Sequence, residues 1–166
     1  MNAADLHFRP AEISDIDTIV KWRHETAQWL ATEHGSDQWS TEYPRWKLQE
    51  WVERGETWMI SLTPDDDPIA TLTLSSQGAP ELWTPEELAE PALYLNKLNV
   101  VRTHAGEGIG SCLVQWSIDE AHKARAKLRI DVWTTNNGLR RYYENLGFQY
   151  LRTVSNTVSG ALYEIS

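Results

Sequence analysis

A single cysteine, Cys112, stands in 166 residues, which excludes an internal disulfide and any zinc site built from several thiolates. Long apolar runs are missing too, since no stretch approaches the roughly 20 residues that a membrane-spanning helix requires. The opening MNAADLHFRPAE has no basic stretch leading into an apolar one, so no secretory leader is expected there and cytoplasmic residence is. Basic charge is scarce. There are 15 Lys and Arg against 24 Asp and Glu, for a net charge of −9, and such a chain lacks the cationic face that phosphate backbones demand. Neither nucleic acid nor a membrane is an expected partner.

What is present fits one soluble α/β domain spanning residues 1–166, long enough to bury a continuous core. The charge is unevenly spread. Residues 1–96 carry 6 basic and 18 acidic side chains, whereas residues 97–166 carry 9 and 6. An acidic half joined to a mildly cationic half suits a polyphosphate ligand on one side and a cationic substrate on the other. Tryptophan is abundant, at nine residues. Five of them, Trp22, Trp29, Trp39, Trp46 and Trp51, fall in the first third of the chain, and Trp22, Trp46 and Trp51 are expected to anchor the core.

LHFRPA at 6–11 reads as a short strand. Ser14 is placed to cap a helix reaching about Ala31, with Ile16, Ile19, Val20, Arg23 and Ala27 at helical spacing. A polar loop follows, and RWKLQEWVER predicts a second helix that stops at Gly55. ETWMISL and PIATLTL form an expected hairpin. Residues 75–91 hold three of the seven prolines and predict a loop with one helical turn. A strand at 92–101, a helix from about Gly108 to Ala124 and a strand at 128–133 imply a parallel pair. A short helix near 138–146, ended by Gly147, precedes two final strands near 148–155 and 158–165. The resulting class is α/β (α+β).

RTHAGEGIGSCL at 102–113 places glycines at 106, 108 and 110 immediately before the fourth helix. A dinucleotide fingerprint requires G-x-G-x-x-G with an acidic residue about 20 positions on, and a nucleoside triphosphate loop requires G-x-x-x-x-G-K followed by Ser or Thr. Neither is present. The stretch LNKLNVVRTHAGEGIGSCLVQWSIDEA, followed by NNGLRRYYENLGF, resembles the GNAT superfamily of acyl-CoA-dependent N-acetyltransferases. Leu98 and Val100 match its strand motif, and Gly108 and Gly110 match its loop glycines. Asn136, Tyr143, Gly147 and Phe148 match its second motif. One position departs from the pattern: Ala105 stands where the family usually has Arg or Gln, so the loop amides must carry the anion, with Arg102 or His104 as possible additional charge.

The resemblance implies a single domain with a mixed, mostly antiparallel sheet of six to seven strands and about four helices on both faces. It implies acetyl-CoA as cosubstrate and no metal. Ala105, Gly106, Glu107, Gly108, Ile109, Gly110 and Ser111 would hold the pyrophosphate, and the edge of Leu98, Asn99 and Val100 would hold the pantetheine arm together with Asn136. The Val100 N–H would polarise the thioester carbonyl, and Tyr143 would give a proton to the leaving sulfur. The general base is open. Asp131, opposite the apolar side of its strand, is the most economical candidate, with Glu25, Glu33, His34, Asp37 or water as others. Cys112 is expected to be core packing. Trp29, Glu33, Asp37 and Trp39 are expected to surround a cationic acceptor. The expected activity is acetyl transfer to a primary amine of a small molecule without a covalent acyl-enzyme, by a monomer or homodimer. A protein N-terminus or lysine as acceptor, or a non-catalytic acyl-CoA-binding module, are the alternatives.

Overall fold

The computed structural model describes residues 1–39 and 44–166. Seven strands form a mixed sheet in the order β1-β2-β3-β4-β5-β7-β6. They are β1 (His7–Pro10), β2 (Thr57–Ser61), β3 (Ala70–Ser75), β4 (Ala92–Val100), β5 (Lys127–Val132), β6 (Gln149–Thr153) and β7 (Ala161–Ile165). The helices are α1 (Ile16–His34), α2 (Arg45–Glu53), α3 (Pro85–Leu88), α4 (Ile109–Lys123) and α5 (Asn137–Asn145). The pairs β1–β2, β2–β3, β5–β7 and β6–β7 are antiparallel, while β4 and β5 run parallel. Every strand and helix expected from periodicity is present.

By contact density the chain divides into two compact units, Met1–Thr73 with Lys97–Gln115, and Leu74–Asn96 with Trp116–Ser166. The first unit packs Ile16 and Ile19 of α1 and Leu48, Trp51 and Val52 of α2 against Met59 and Ala11, with Trp22 beside them. Trp46 departs from expectation, being 66% exposed. It lies on α2 two residues before Leu48 and five before Trp51, which sets it on the opposite side of the helix from the buried stripe. The start of α1 also differs. Residues Ile13–Asp15 make a 3₁₀ turn first, and the Asp15 carboxylate accepts from the Glu12 N–H and from Arg9, so Ser14 is not the cap. The helix runs on to His34, where Gly35 takes φ of 60° and returns its N–H to Leu30 O.

In the second unit, Arg129 of β5 is completely buried. Its Nη1 donates to Glu87 O and to the Tyr94 hydroxyl at 2.7 and 2.9 Å, while Nη2 and Nε reach Glu90 and Glu164 at 2.6 and 3.1 Å. Arg152 of β6 donates to both Glu87 carboxylate oxygens and to Leu82 O. Two arginines therefore clamp the proline-rich segment around α3, whose own start is a capping box between Thr84 and Glu87. Trp83, Tyr94, Ala92 and Leu162 fill the space beneath it. One fully buried guanidinium with its donors matched, and a second, more exposed one forked onto Glu87, tie residues 75–91 to β5 and β6 despite their little regular structure.

Candidate active site

In the first unit β4 ends at Val100, and Arg102–His104 form a short 3₁₀ turn leading to the glycine triplet and α4. Gly106 and Gly108 take φ of 80° and 78°, a region that side chains rarely enter, so the turn itself calls for glycine there. Gly110 is different. Its φ lies outside that region, and a Cβ built on it would meet nothing within 4 Å. The protein's own packing thus gives no reason for glycine at 110, whereas a ligand drawn close to the backbone does. Amides in the first turn of α4 carry no intrahelical partner and sit at the positive end of the helix dipole, which is the chemistry an anion such as pyrophosphate needs. The residues present therefore fit coenzyme A. Ile109 is buried and pins the helix start, while Ala105, Gly106, Glu107, Gly108 and Ser111 are exposed.

The side chains around the loop are committed elsewhere. The His104 Nδ1 lies 2.8 Å from the Glu107 carboxylate, so Glu107 offers the loop its backbone and not its charge. The Arg102 guanidinium stacks on Trp29 at 3.6 Å from the ring centroid. Cys112 is buried, with its thiol donating to the Met1 carbonyl.

A cleft opens in the same unit, and its described lining is Ile19, Arg23, Trp39, Thr71, Lys97 and Asn99. Two of these residues are backbone outliers. Trp39 has φ of 65° and Lys97 has φ of 56°, and they make up half of the four described non-glycine residues with positive φ. Lys97 holds this conformation in the middle of a strand, where it breaks the alternation of inward and outward side chains. Such strain persists where the surrounding structure over-determines it and gathers at ligand sites. Asn99 is buried, and its amide oxygen accepts from the Thr26 hydroxyl at 2.9 Å. The Thr71 hydroxyl donates to Trp58 O.

Of the four residues expected around a cationic acceptor, Trp39 lines this cleft, and the Arg23 guanidinium sits 5.1 Å from its ring centroid. Trp29 carries Arg102 on its face, with His34 at its edge. Glu33 and Asp37 are exposed and lie outside the cleft lining. Each expected indole platform thus already bears a cation of the chain itself. Sequence reading assigned no role to Arg23, Thr71 or Lys97. The signal for Arg23 was its place as the charged member of the apolar α1 stripe; nothing local announced the other two.

In the second unit Asn136 caps α5, its side-chain oxygen accepting from the Leu139 N–H at 3.0 Å. The helix is held by Arg140, whose Nε donates to the buried Tyr163 hydroxyl, which in turn donates to Glu144. Tyr143 is half-buried, with its ring edge-on to Tyr142 and Phe148 at 5.3 and 5.4 Å. Its hydroxyl lies deep, and burial first, then Tyr142 and the charge of Asp131, raise its pKa above the ordinary phenol range. It is therefore a neutral O–H donor across the physiological range. Asp131, opposite Leu162 of β7, accepts from the Ser159 hydroxyl at 2.7 Å. The structure brings the expected acid and the candidate base into one electrostatic neighbourhood.

Residues 18–148 match the model of the acetyltransferase (GNAT) family. The chain belongs to that family. It is similar to the uncharacterized N-acetyltransferase YesJ of Bacillus subtilis (strain 168), 25% identical over 147 residues that cover 86% of this chain and 81% of that protein. A GNAT-family acetyltransferase structure from Listeria monocytogenes 4b F2365 superposes with a TM-score of 0.80 at 22% identity, covering 96% and 94% of the two chains. The PaiA N-acetyltransferase of Thermoplasma acidophilum, solved in complex with coenzyme A, gives 0.69 at 17% identity over 96% and 97%. The GNAT protein described here is an acyl-CoA-dependent N-acetyltransferase. Among its described residues no cluster of His, Cys, Asp or Glu is placed to hold a metal ion, and no described helix is long and apolar enough to cross a membrane.

Proposed function

We propose that this GNAT enzyme transfers the acetyl group of acetyl-CoA directly to a primary amine of a small molecule. The observation that carries the reading is the cleft beside Asn99: six described residues line it, two apolar, two neutral polar and two cationic, and two of them are held in strained backbone. A concave site with apolar walls and a few placed polar groups is the usual form of a small-ligand site.

Bound acetyl-CoA supplies an acetyl group already activated as a thioester. Backbone amides from Ala105 to Ser111 hold its pyrophosphate, and Leu98, Asn99 and Val100 offer their strand edge to the pantetheine arm. The Val100 N–H is the proposed donor to the carbonyl oxygen, where negative charge develops. Tyr143 holds a proton at neutral pH and can release it to the departing sulfur. Asp131 is the proposed acceptor of the amine proton. Cys112 takes no part, because its thiol is buried and bonded to a main-chain oxygen.

Thiol release from acetyl-CoA, measured against a panel of small primary amines and of short peptides with free N-termini, tests the proposal. Saturation by a small amine is the expected result. Turnover with peptides alone would replace it with protein acetylation, the reaction class represented among solved neighbours by the NatC complex bound to Gag peptide and CoA.

A further inference from the structure

The cleft lining has a chemical sign. Arg23 and Lys97 are cationic, Thr71 and Asn99 are neutral and polar, Ile19 and Trp39 are apolar, and no carboxylate is among the described lining residues. This runs against the rest of the unit, whose segments 1–73 and 97–115 carry 15 acidic and 8 basic side chains. Arg23 is only 8% exposed although it occupies the stripe of α1 that also carries Ile16 and Ile19 into the core. Its guanidinium is oriented by Trp39 through a cation–π contact at 5.1 Å. Lys97 reaches the same cleft from a backbone conformation that costs energy to hold. Two cations brought to one cleft, one by a buried helix position and the other by a strand residue in left-handed backbone, are a built arrangement.

Resting on the small-molecule reading above, we propose that the acceptor amine also carries a carboxylate, and that Arg23 and Lys97 bind it. A guanidinium offers five N–H donors in a rigid plane and no acceptor, so it can keep its other contacts and still take a planar carboxylate in fork geometry. Lys97 supplies a second positive charge at shorter range than water-screened surface charges could. A carboxylate is favoured over a phosphate because a phosphate dianion is larger and gives up more hydration on entry. The acceptor is thus zwitterionic in solution. Its ammonium end is drawn by the acidic surroundings, and its carboxylate end is fixed by the cleft.

The test compares amines of equal length with and without the charge: glycine with ethylamine, β-alanine with propylamine, 4-aminobutyrate with butylamine, and phosphoethanolamine as the phosphate arm. Each kcat/KM is corrected for the fraction of neutral amine. At least one carboxylate-bearing acceptor should exceed its partner by about 10-fold or more, as expected for a charge-assisted hydrogen bond in a partly dehydrated site. In Arg23→Gln that ratio should collapse by about 10- to 100-fold. In Lys97→Asn, which suits a left-handed backbone, it should fall by about 2- to 5-fold. Should Arg23→Gln fail to fold, the Lys97→Asn ratio decides. Equal use of both members of every pair, or preference for phosphoethanolamine, would overturn the carboxylate while leaving small-molecule acetylation intact. Thiol release with peptides but with no small amine would remove both readings together.

Discussion

Gly110 and Tyr143 can each be tested by the loss of very little. Gly110→Ala adds one methyl group where nothing stands within 4 Å, at the second residue of α4, where alanine is the better helix former by up to about 1 kcal/mol. Thermal stability should hold or rise slightly, yet KM for acetyl-CoA should increase several-fold if phosphate approaches the amides there. Unchanged KM in a folded variant would reduce the triplet to a turn. Tyr143→Phe removes a hydroxyl from a ring already packed against Phe148, so the fold should survive. Losing a positioned proton donor costs about 10²–10⁴-fold, and kcat should fall within or somewhat below that range while KM for acetyl-CoA barely moves. Tyr142→Phe is the control, and a reversal between the two would mean that the neighbouring ring carries the proton. Because Tyr143 titrates above the ordinary phenol range, any loss of rate below pH 10 must come from another group.

Elements show where sequence ran out. Strand and helix positions were legible because amphipathic period and glycine stops are local properties: Gly55, Gly106, Gly108 and Gly147 all take positive φ where the pattern breaks. The loop and second motif were legible because glycine spacing and Tyr143 are side-chain identities. The cleft was not. Lys97 lies in a strand whose composition gives no hint of left-handed backbone at that position. A substitution there is correspondingly informative. Lys97→Val forces a β-branched residue into that region and should destabilise the protein by about 1–2 kcal/mol, whereas Lys97→Gly should not; equal denaturation midpoints would show the strain to be absent. At the α3 segment, Arg152 draws the Glu87 carboxyl from its ordinary 4.5 down to about 2. The unfolded chain binds that proton first, so this stabilisation is complete above pH 4.5 and is lost as pH falls toward 2. The melting temperature should therefore decline across that window, and decline less steeply in Arg152→Met. Parallel curves would place the acid sensitivity elsewhere.

For the molecule as a whole, the charge asymmetry belongs to the two halves of the chain, but the cleft joins Arg23 from the acidic half with Lys97 from the cationic one. Net charge describes the field that a ligand meets on approach, and the cleft lining describes what it meets on arrival. The stack of Arg102 on Trp29 adds an optical consequence. Arg102 belongs to the turn that leads directly into Ala105 and the glycines. Ordering of that turn by coenzyme A would shift the cation over the indole and change the light the ring emits. Tryptophan emission should then titrate with coenzyme A, and the response should vanish in Trp29→Phe even though eight other tryptophans remain. The protein would carry its own gauge of cosubstrate occupancy, readable without label, acceptor or turnover.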